Sequence, residues 1–178
     1  SSWMIPSESL YWQSNLANKV DWKRHKVYIY GKEHVIPRMS AFIAEEGISY
    51  KYSGHTLYGY GLPDWFLPLL HKVNRQCEIK YNGCLFNLYR DGNDHMGWHS
   101  DDELELDSSM VIASLSLGAE RDFLFKNRFT DSRHKLTLKN GDLLLMHPIC
   151  QRNWLHSLPV RKRIKDIRFN LTFRKYRI

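Results

Sequence analysis

The chain has 178 residues, enough for one domain with a sizeable core. A hydrophobic fraction of 43% and an aromatic fraction of 13% exclude a disordered or low-complexity polymer. With 26 Lys and Arg against 19 Asp and Glu the formal charge is +7, which favours polyanionic partners, nucleic acid first among them.

No repeat or Pro/Gly/Ser linker divides the sequence, so residues 1–178 are expected to form a single domain. Residues 7–19 pattern an N-terminal helix with Ser7 or Ser9 as its cap. KVYIYGKEH (26–34) reads as a strand, a glycine turn and a basic exit. SYKYSG (49–54) sets Tyr50 and Tyr52 on one strand face. LPLLHKVNRQ (67–76) predicts a helix with Pro68 in its first turn and Leu69, Leu70 and Val73 facing inward. Short strands bounded by turn residues follow at 84–90, 111–117, 122–126, 135–138 and 142–146. Asn140-Gly141 is a hairpin signal between the last two. Such a run of short antiparallel strands points to a double-sheet barrel or jelly roll.

The final strand is the most legible. In IRFNLTFR (167–174), Ile167, Phe169, Leu171 and Phe173 alternate with Arg168, Asn170, Thr172 and Arg174. Period-two alternation puts the polar four on one face. That face is either solvated or the wall of a polar lumen. Asn87 and Tyr89 share a face on the strand at 84–90 by the same rule. If these faces converge, two guanidiniums repel unless an anion lies between them. A guanidinium forks onto a carboxylate, so a small carboxylate ligand is expected there.

NLYRDGNDHMGWHSDDE (87–103) is the densest polar stretch. Its His99 and Asp101, two apart, present an imidazole and a carboxylate on one side of an extended segment. A second His would complete a two-His, one-carboxylate face with open positions, the usual site of a non-haem Fe(II) oxygenase, with a catalytic zinc site as the rival. His134, His147 and His156 are the candidates for that third ligand. The Cys residues, Cys77, Cys84 and Cys150, form no CxxC pair, which fits a reducing compartment. No apolar run approaches the roughly 20 residues of a membrane span. A soluble intracellular protein, cytoplasmic, nucleoid-associated or nuclear, is expected, without a membrane partner and as a monomer.

NLYRDGNDHMGWHSDDE, HSLPVRKR and RFNLTFR together resemble the AlkB family of Fe(II)- and 2-oxoglutarate-dependent dioxygenases, in order over about residues 28–176. GKEHVIPR and HSLPVRKR resemble the members that repair duplex DNA. The resemblance implies a mainly β fold with flanking helices, a double-stranded β-helix (jelly-roll) core and an N-terminal nucleotide-recognition lid. An N-terminal extension and the lid are expected over about 1–65 and the helix plus jelly-roll core over about 66–178. It also implies that His99, Asp101 and His156 hold Fe(II). Asn87, Tyr89, Arg168, Asn170, Thr172 and Arg174 would line the site of 2-oxoglutarate, which is used with O2. Arg168 would pair with the distal carboxylate, and Arg174 would lie nearer the iron-chelating end.

The activity implied is oxidative demethylation of N-alkylated bases such as 1-methyladenine and 3-methylcytosine in DNA, releasing formaldehyde. Such a base must be flipped out of the stack. Tyr52 and the His99 ring would sandwich it, and Tyr50 would bond a base edge or a phosphate. Asp102 and Glu103 would accept from the exocyclic amine. Tyr30 or Ile29 would fill the gap in the duplex. Arg161, Lys162 and Arg163, with Lys32 and Arg38, would form a phosphate strip. The alternatives are the same reaction on RNA or single strands, a 2-oxoglutarate oxygenase with a different substrate, and a binding module without catalysis. The HxD…H set argues against the last.

Overall fold

The computed structural model describes residues 2–29, 32–52 and 55–177, and of these the side chains at 27–29, 32, 33 and 52 fall outside the description. In chain order the elements are α1 (Pro6–Lys19), β1 (Lys26–Ile29), β2 (Lys32–Val35), β3 (Met39–Ala44), β4 (Ser49–Tyr52), β5 (His55–Tyr58), α2 (Leu67–Cys77), β6 (Gly83–Tyr89), β7 (Met96–His99), β8 (Ile112–Gly118), β9 (Arg121–Asn127), β10 (Arg133–Leu138), β11 (Leu143–Met146), α3 (Pro148–Asn153), β12 (Trp154–Leu158) and β13 (Arg168–Arg174).

Two antiparallel sheets make the core. One is five-stranded in the order β11-β8-β13-β6-β3, the other four-stranded in the order β10-β9-β12-β7. The fold is mainly β with flanking helices, a jelly roll as the strand pattern implied. The five-stranded sheet is covered on its outer face by helices. Phe169, Leu171 and Phe173 of β13, Cys84 and Phe86 of β6, and Ala113, Leu115 and Leu117 of β8 pack with Trp12 and Leu16 of α1 and Leu69, Leu70 and Val73 of α2. A helix-covered sheet hides both faces, so every residue of β13 is buried. The polar face of the last strand is therefore a lumen wall, not a solvated surface.

Three expectations change. α1 starts at Pro6 with Ile5 as its N-cap and no side-chain cap bond. Ser9 lies inside the helix, where its hydroxyl donates to Asn140 Oδ1 at 2.5 Å. Proline at the first position supplies the helical φ that a cap would otherwise help to set. Second, Asn140-Gly141 does not close a hairpin. β10 pairs with β9, and β11 with β8, so the turn carries the chain from one sheet to the other. Gly141 supplies the φ of +82°, and Asn140 Oδ1 accepts from the Gly118 amide at 2.8 Å. Third, the core draws on the 1–65 extension as well as on 66–178. β3 pairs with β6 as a strand of the core sheet, and α1 belongs to the core. Outside the two sheets stand the hairpins β1–β2 and β4–β5.

The loop after β6 meets the loop after β12. The Arg161 amide donates to the Gly92 carbonyl at 2.7 Å, and the Gly92 amide to Ile164 at 2.9 Å. A Cβ at Gly92 would overlap the Arg161 carbonyl, so only glycine fits this approach. No helix among the described residues is long and apolar enough to cross a membrane.

Candidate active site

His99 closes β7, and Asp101 follows it as the chain leaves the sheet. β12 pairs with β7 so that His156 stands opposite His99, with ring centroids 4.2 Å apart. One ligand atom each from His99, Asp101 and His156 lie within 4.8 Å of one another. His99 Nε2 is 3.7 Å from Asp101 Oδ1, while its Nδ1 lies 2.9 Å from the Gly97 carbonyl. His156 is 3% exposed, and its Nδ1 has no hydrogen-bond partner. Of the other candidates for the third ligand, His134 packs against Trp154 and His147 stands at the N-cap of α3; neither joins the group.

The protonation states suit a metal. Burial alone would raise the Asp101 pKa, but Arg174, which donates to Oδ1 at 2.8 Å, and the two imidazoles hold it down to about 2. Burial pushes the His156 ring down to about 4 against the pull of Asp101, and His99 and Arg174 add to the fall. At neutral pH the carboxylate is ionised and the buried imidazole neutral, the forms that ligate a cation.

Beside this group lies the lumen between the sheets. β13 and β6 are in register so that Arg168 faces Tyr89 and Asn170 faces Asn87. Arg168 is 1% exposed, donates to Ser116 Oγ at 2.8 Å and lies over the Tyr89 ring at 5.2 Å; its Nε has no partner. Burial lowers its pKa to about 10, which leaves it charged at neutral pH. Asn170 Nδ2 donates to Ser114 Oγ at 2.7 Å, and Thr172 Oγ1 donates to Asn170 Oδ1 at 3.2 Å. The same cavity is lined by Asn87, Tyr89, Arg168, Asn170, Thr172 and Arg174, together with His99, Asp101 and His156.

The rim is more divided. Tyr50 is fully buried, and its hydroxyl donates to Glu103 Oε1 at 2.7 Å and accepts from Arg174 Nη1 at 3.3 Å. Tyr50 therefore braces Glu103 and Arg174. Glu103 Oε2 is buried without a partner. Asp102 is exposed and accepts from Arg128 at 3.0 Å. Arg38 leaves the expected phosphate strip: it is 6% exposed and donates to Asn87 Oδ1 at 2.9 Å, inside the wall of the lumen. Arg161 pairs with Asp122 at 2.7 Å, whereas Lys162 and Arg163 are exposed. Tyr30 lies outside the described residues, as do the side chains of Ile29, Lys32 and Tyr52.

Residues 1–174 match the family model of the 2OG-Fe(II) oxygenase superfamily. The chain belongs to that superfamily. Within it, the similarity is to AlkB proteins. The chain is 44% identical over 164 residues to the mouse DNA oxidative demethylase ALKBH2, covering 84% of this chain and 66% of the mouse protein. Against the human ALKBH2 the identity is 40%, covering 84% and 60%. Against the rat alpha-ketoglutarate-dependent dioxygenase alkB homolog 3 it is 35%, covering 89% and 57%. The chain thus spans less than two thirds of the length of these relatives. Among solved structures, that of OsALKBH1 superposes with a TM-score of 0.59 at 18% identity, covering 95% of this chain and 91% of that one. An oxygenase of the same superfamily from Burkholderia pseudomallei superposes with a TM-score of 0.61 at 13% identity, covering 93% and 77%. At such identities these two attest the fold.

The residues of this oxygenase fit the cofactors its superfamily name carries. Two imidazoles and one ionised carboxylate are the donor set of a non-haem Fe(II) centre. The partnerless Nε atoms of Arg168 and Arg174 are buried donors aimed at no protein acceptor, as a cavity built for a carboxylate ligand requires.

Sequence reasoning missed two residues of this site. Gln151 of α3 accepts from the Asp101 amide at 2.9 Å and so fixes the backbone of a metal-site carboxylate. Arg121 of β9 is buried behind Tyr89. Neither belongs to a periodic pattern or a motif, and each acts across the fold, so no local signal could have found them.

Proposed function

We propose that this oxygenase removes alkyl groups from base nitrogens in duplex DNA, with 1-methyladenine and 3-methylcytosine as the substrate type, acting as a monomer. The observation that carries this is the His99–Asp101–His156 group beside a guanidinium-lined lumen. The similarity to proteins named DNA oxidative demethylase supplies the substrate class. With Fe(II), 2-oxoglutarate and O2 bound, the centre would supply oxidation of the N-methyl group, which leaves as formaldehyde while 2-oxoglutarate becomes succinate and CO2.

The chain's own residues would do the rest. His99, Asp101 and His156 hold the metal. Arg168 forks onto the distal carboxylate of 2-oxoglutarate, with Asn87, Tyr89, Asn170 and Thr172 along its length. Arg174, clamped by Asp101, stands at the chelating end. The free oxygen of Glu103 accepts from the exocyclic amine of a flipped base, and Asp102 adds negative charge that favours a cationic, N-alkylated one. Tyr52 and His99 stack on the base, worth roughly 1–3 kcal/mol. The hairpins β1–β2 and β4–β5 form the recognition lid. They are tied where His55 Nε2 lies 2.5 Å from the Lys26 carbonyl, and Tyr30 or Ile29 is the residue expected to fill the gap in the stack. Lys162 and Arg163, exposed next to the Arg161–Gly92 contact, take phosphates, with Lys32 as a further candidate.

The test is anaerobic loading with Fe(II), then O2 with a 1-methyladenine oligonucleotide, and detection of formaldehyde. Release that requires 2-oxoglutarate and is faster on duplex than on matched single strands is expected. No formaldehyde from either strand form would overturn the reading, and faster release from single strands would overturn the duplex preference.

A further inference from the structure

Two buried guanidiniums share one aromatic ring in this molecule, and only one of them lines the cavity. Arg168 lies 5.2 Å from the Tyr89 centroid and Arg121 lies 5.8 Å from it. Arg121 is 1% exposed and donates to three carbonyls: Asp91 at 3.1 Å, Asp94 at 2.9 Å and Pro159 at 2.8 Å. Its Nε has no partner, and neither has that of Arg168. Asp94 and Asp91 favour the charged form of Arg121, yet both carboxylates are bonded elsewhere. Asp94 is clamped by Arg90 at 2.7 Å, and Asp91 is turned to its own loop, accepting from the Asn93 amide at 2.8 Å. Carbonyl dipoles satisfy three of the N–H donors of Arg121 but leave its unit charge in place. Two buried guanidiniums whose neighbouring carboxylates are engaged elsewhere gain from a bound anion.

We infer that Arg121 is a specificity-determining residue. Its charge, delivered through the Tyr89–Arg168 stack without touching the ligand, sets the preference for a 2-oxo acid with a second, distal carboxylate over one with a single carboxylate. Arg168 supplies the fork at that end, and Arg121 supplies a second positive charge behind it. In a low-dielectric wall two positive charges attract one carboxylate more strongly than one does, and a neutral ligand tail gains nothing from either. The inference rests on the 2-oxoglutarate reading of the lumen.

The test compares 2-oxoglutarate with 2-oxobutyrate, which keeps the chelating end and lacks the distal carboxylate. Binding of each to Mn(II)-loaded protein is followed by calorimetry, for the wild type, Arg121→Met and Arg121→Lys. The wild type is expected to prefer 2-oxoglutarate. Arg121→Met should lower that preference about tenfold by weakening 2-oxoglutarate alone. Arg121→Lys should keep the preference within about twofold, because it keeps the charge while losing the forked bonds to the three carbonyls. If Arg121→Met fails to fold, Arg121→Gln, which retains amide donors, carries the same comparison. A preference that survives Arg121→Met, or that falls equally in Arg121→Lys, would assign Arg121 to stapling the loops and overturn the inference alone. A wild type that binds both acids alike would overturn the reading of the lumen and this role with it.

Discussion

The two faces of β13 are buried equally and do opposite things. Phe169, Leu171 and Phe173 meet the helices, where each buried side chain contributes stability. Arg168, Asn170, Thr172 and Arg174 meet the lumen, where burial works against folding until each polar group finds a partner. Thr172 and Asn170 find partners within the protein, and Arg174 finds Asp101. Arg168 and Arg174 each keep an unpartnered Nε donor. The difference separates the part of the strand that holds the fold from the part that is kept for a ligand.

The strongest way to break this comparison is to exchange the two roles. His99→Ala, on the lumen side, is expected to bring turnover below detection while DNA binding and the thermal midpoint stay near wild type; a large loss of stability would show that the ligand group also holds the fold. Phe173→Ala, on the helix side, should cost about 3–5 kcal/mol in denaturant unfolding. A loss under 1 kcal/mol would mean that this face is not the core.

Gln151→Leu sharpens the lumen side. It removes the acceptor of the Asp101 amide at nearly constant volume, so metal affinity should fall about 10- to 100-fold, with a cost of about 1–3 kcal/mol in unfolding. Titration of metal-free protein with Co(II) reads it directly.

The pH response of the metal-free protein follows from His156. Its folded pKa, about 4, lies below the ordinary 6.5, so the unfolded chain takes up the proton first as pH falls. The stability tied to the neutral ring is complete above about 6.5 and is lost as pH falls toward 4. Asp101, at about 2 against 3.8, continues the loss below that. Thermal midpoints should therefore drop between pH 6.5 and 4, and less steeply in His156→Gln; an unchanged slope would assign the loss to other groups. The smallest effect belongs to Lys162→Ala. It should weaken DNA binding for all sequences alike and reduce the slope of log affinity against log salt by about 1.

The same two faces explain what the sequence could reveal. The alternation of 167–174 announced two chemically distinct faces, the spacing of His99 and Asp101 announced two ligands, and the family resemblance singled out His156 from three candidates for the third. Alternation cannot tell a solvated face from a lumen, because it records polarity and not what lies opposite. That needed the covering helices and the second sheet. Arg38 looked like a surface cation for the same reason: an isolated arginine carries no sign of whether Asn87 awaits it. Asn140-Gly141 marked a turn correctly but not its partner strands, since pairing is decided by which sheet each strand completes. Gln151 meets Asp101 across 50 positions of chain, beyond the reach of any local pattern.

The most direct test is spectroscopic. Anaerobic protein is titrated with Fe(II), then with 2-oxoglutarate, and the visible charge-transfer absorption of an Fe(II)–2-oxo acid chelate is recorded. The band should grow to one equivalent of each, fail to form with succinate, and vanish in folded His156→Ala. A folded wild-type protein that gives no band, or a band untouched by His156→Ala, would contradict the account.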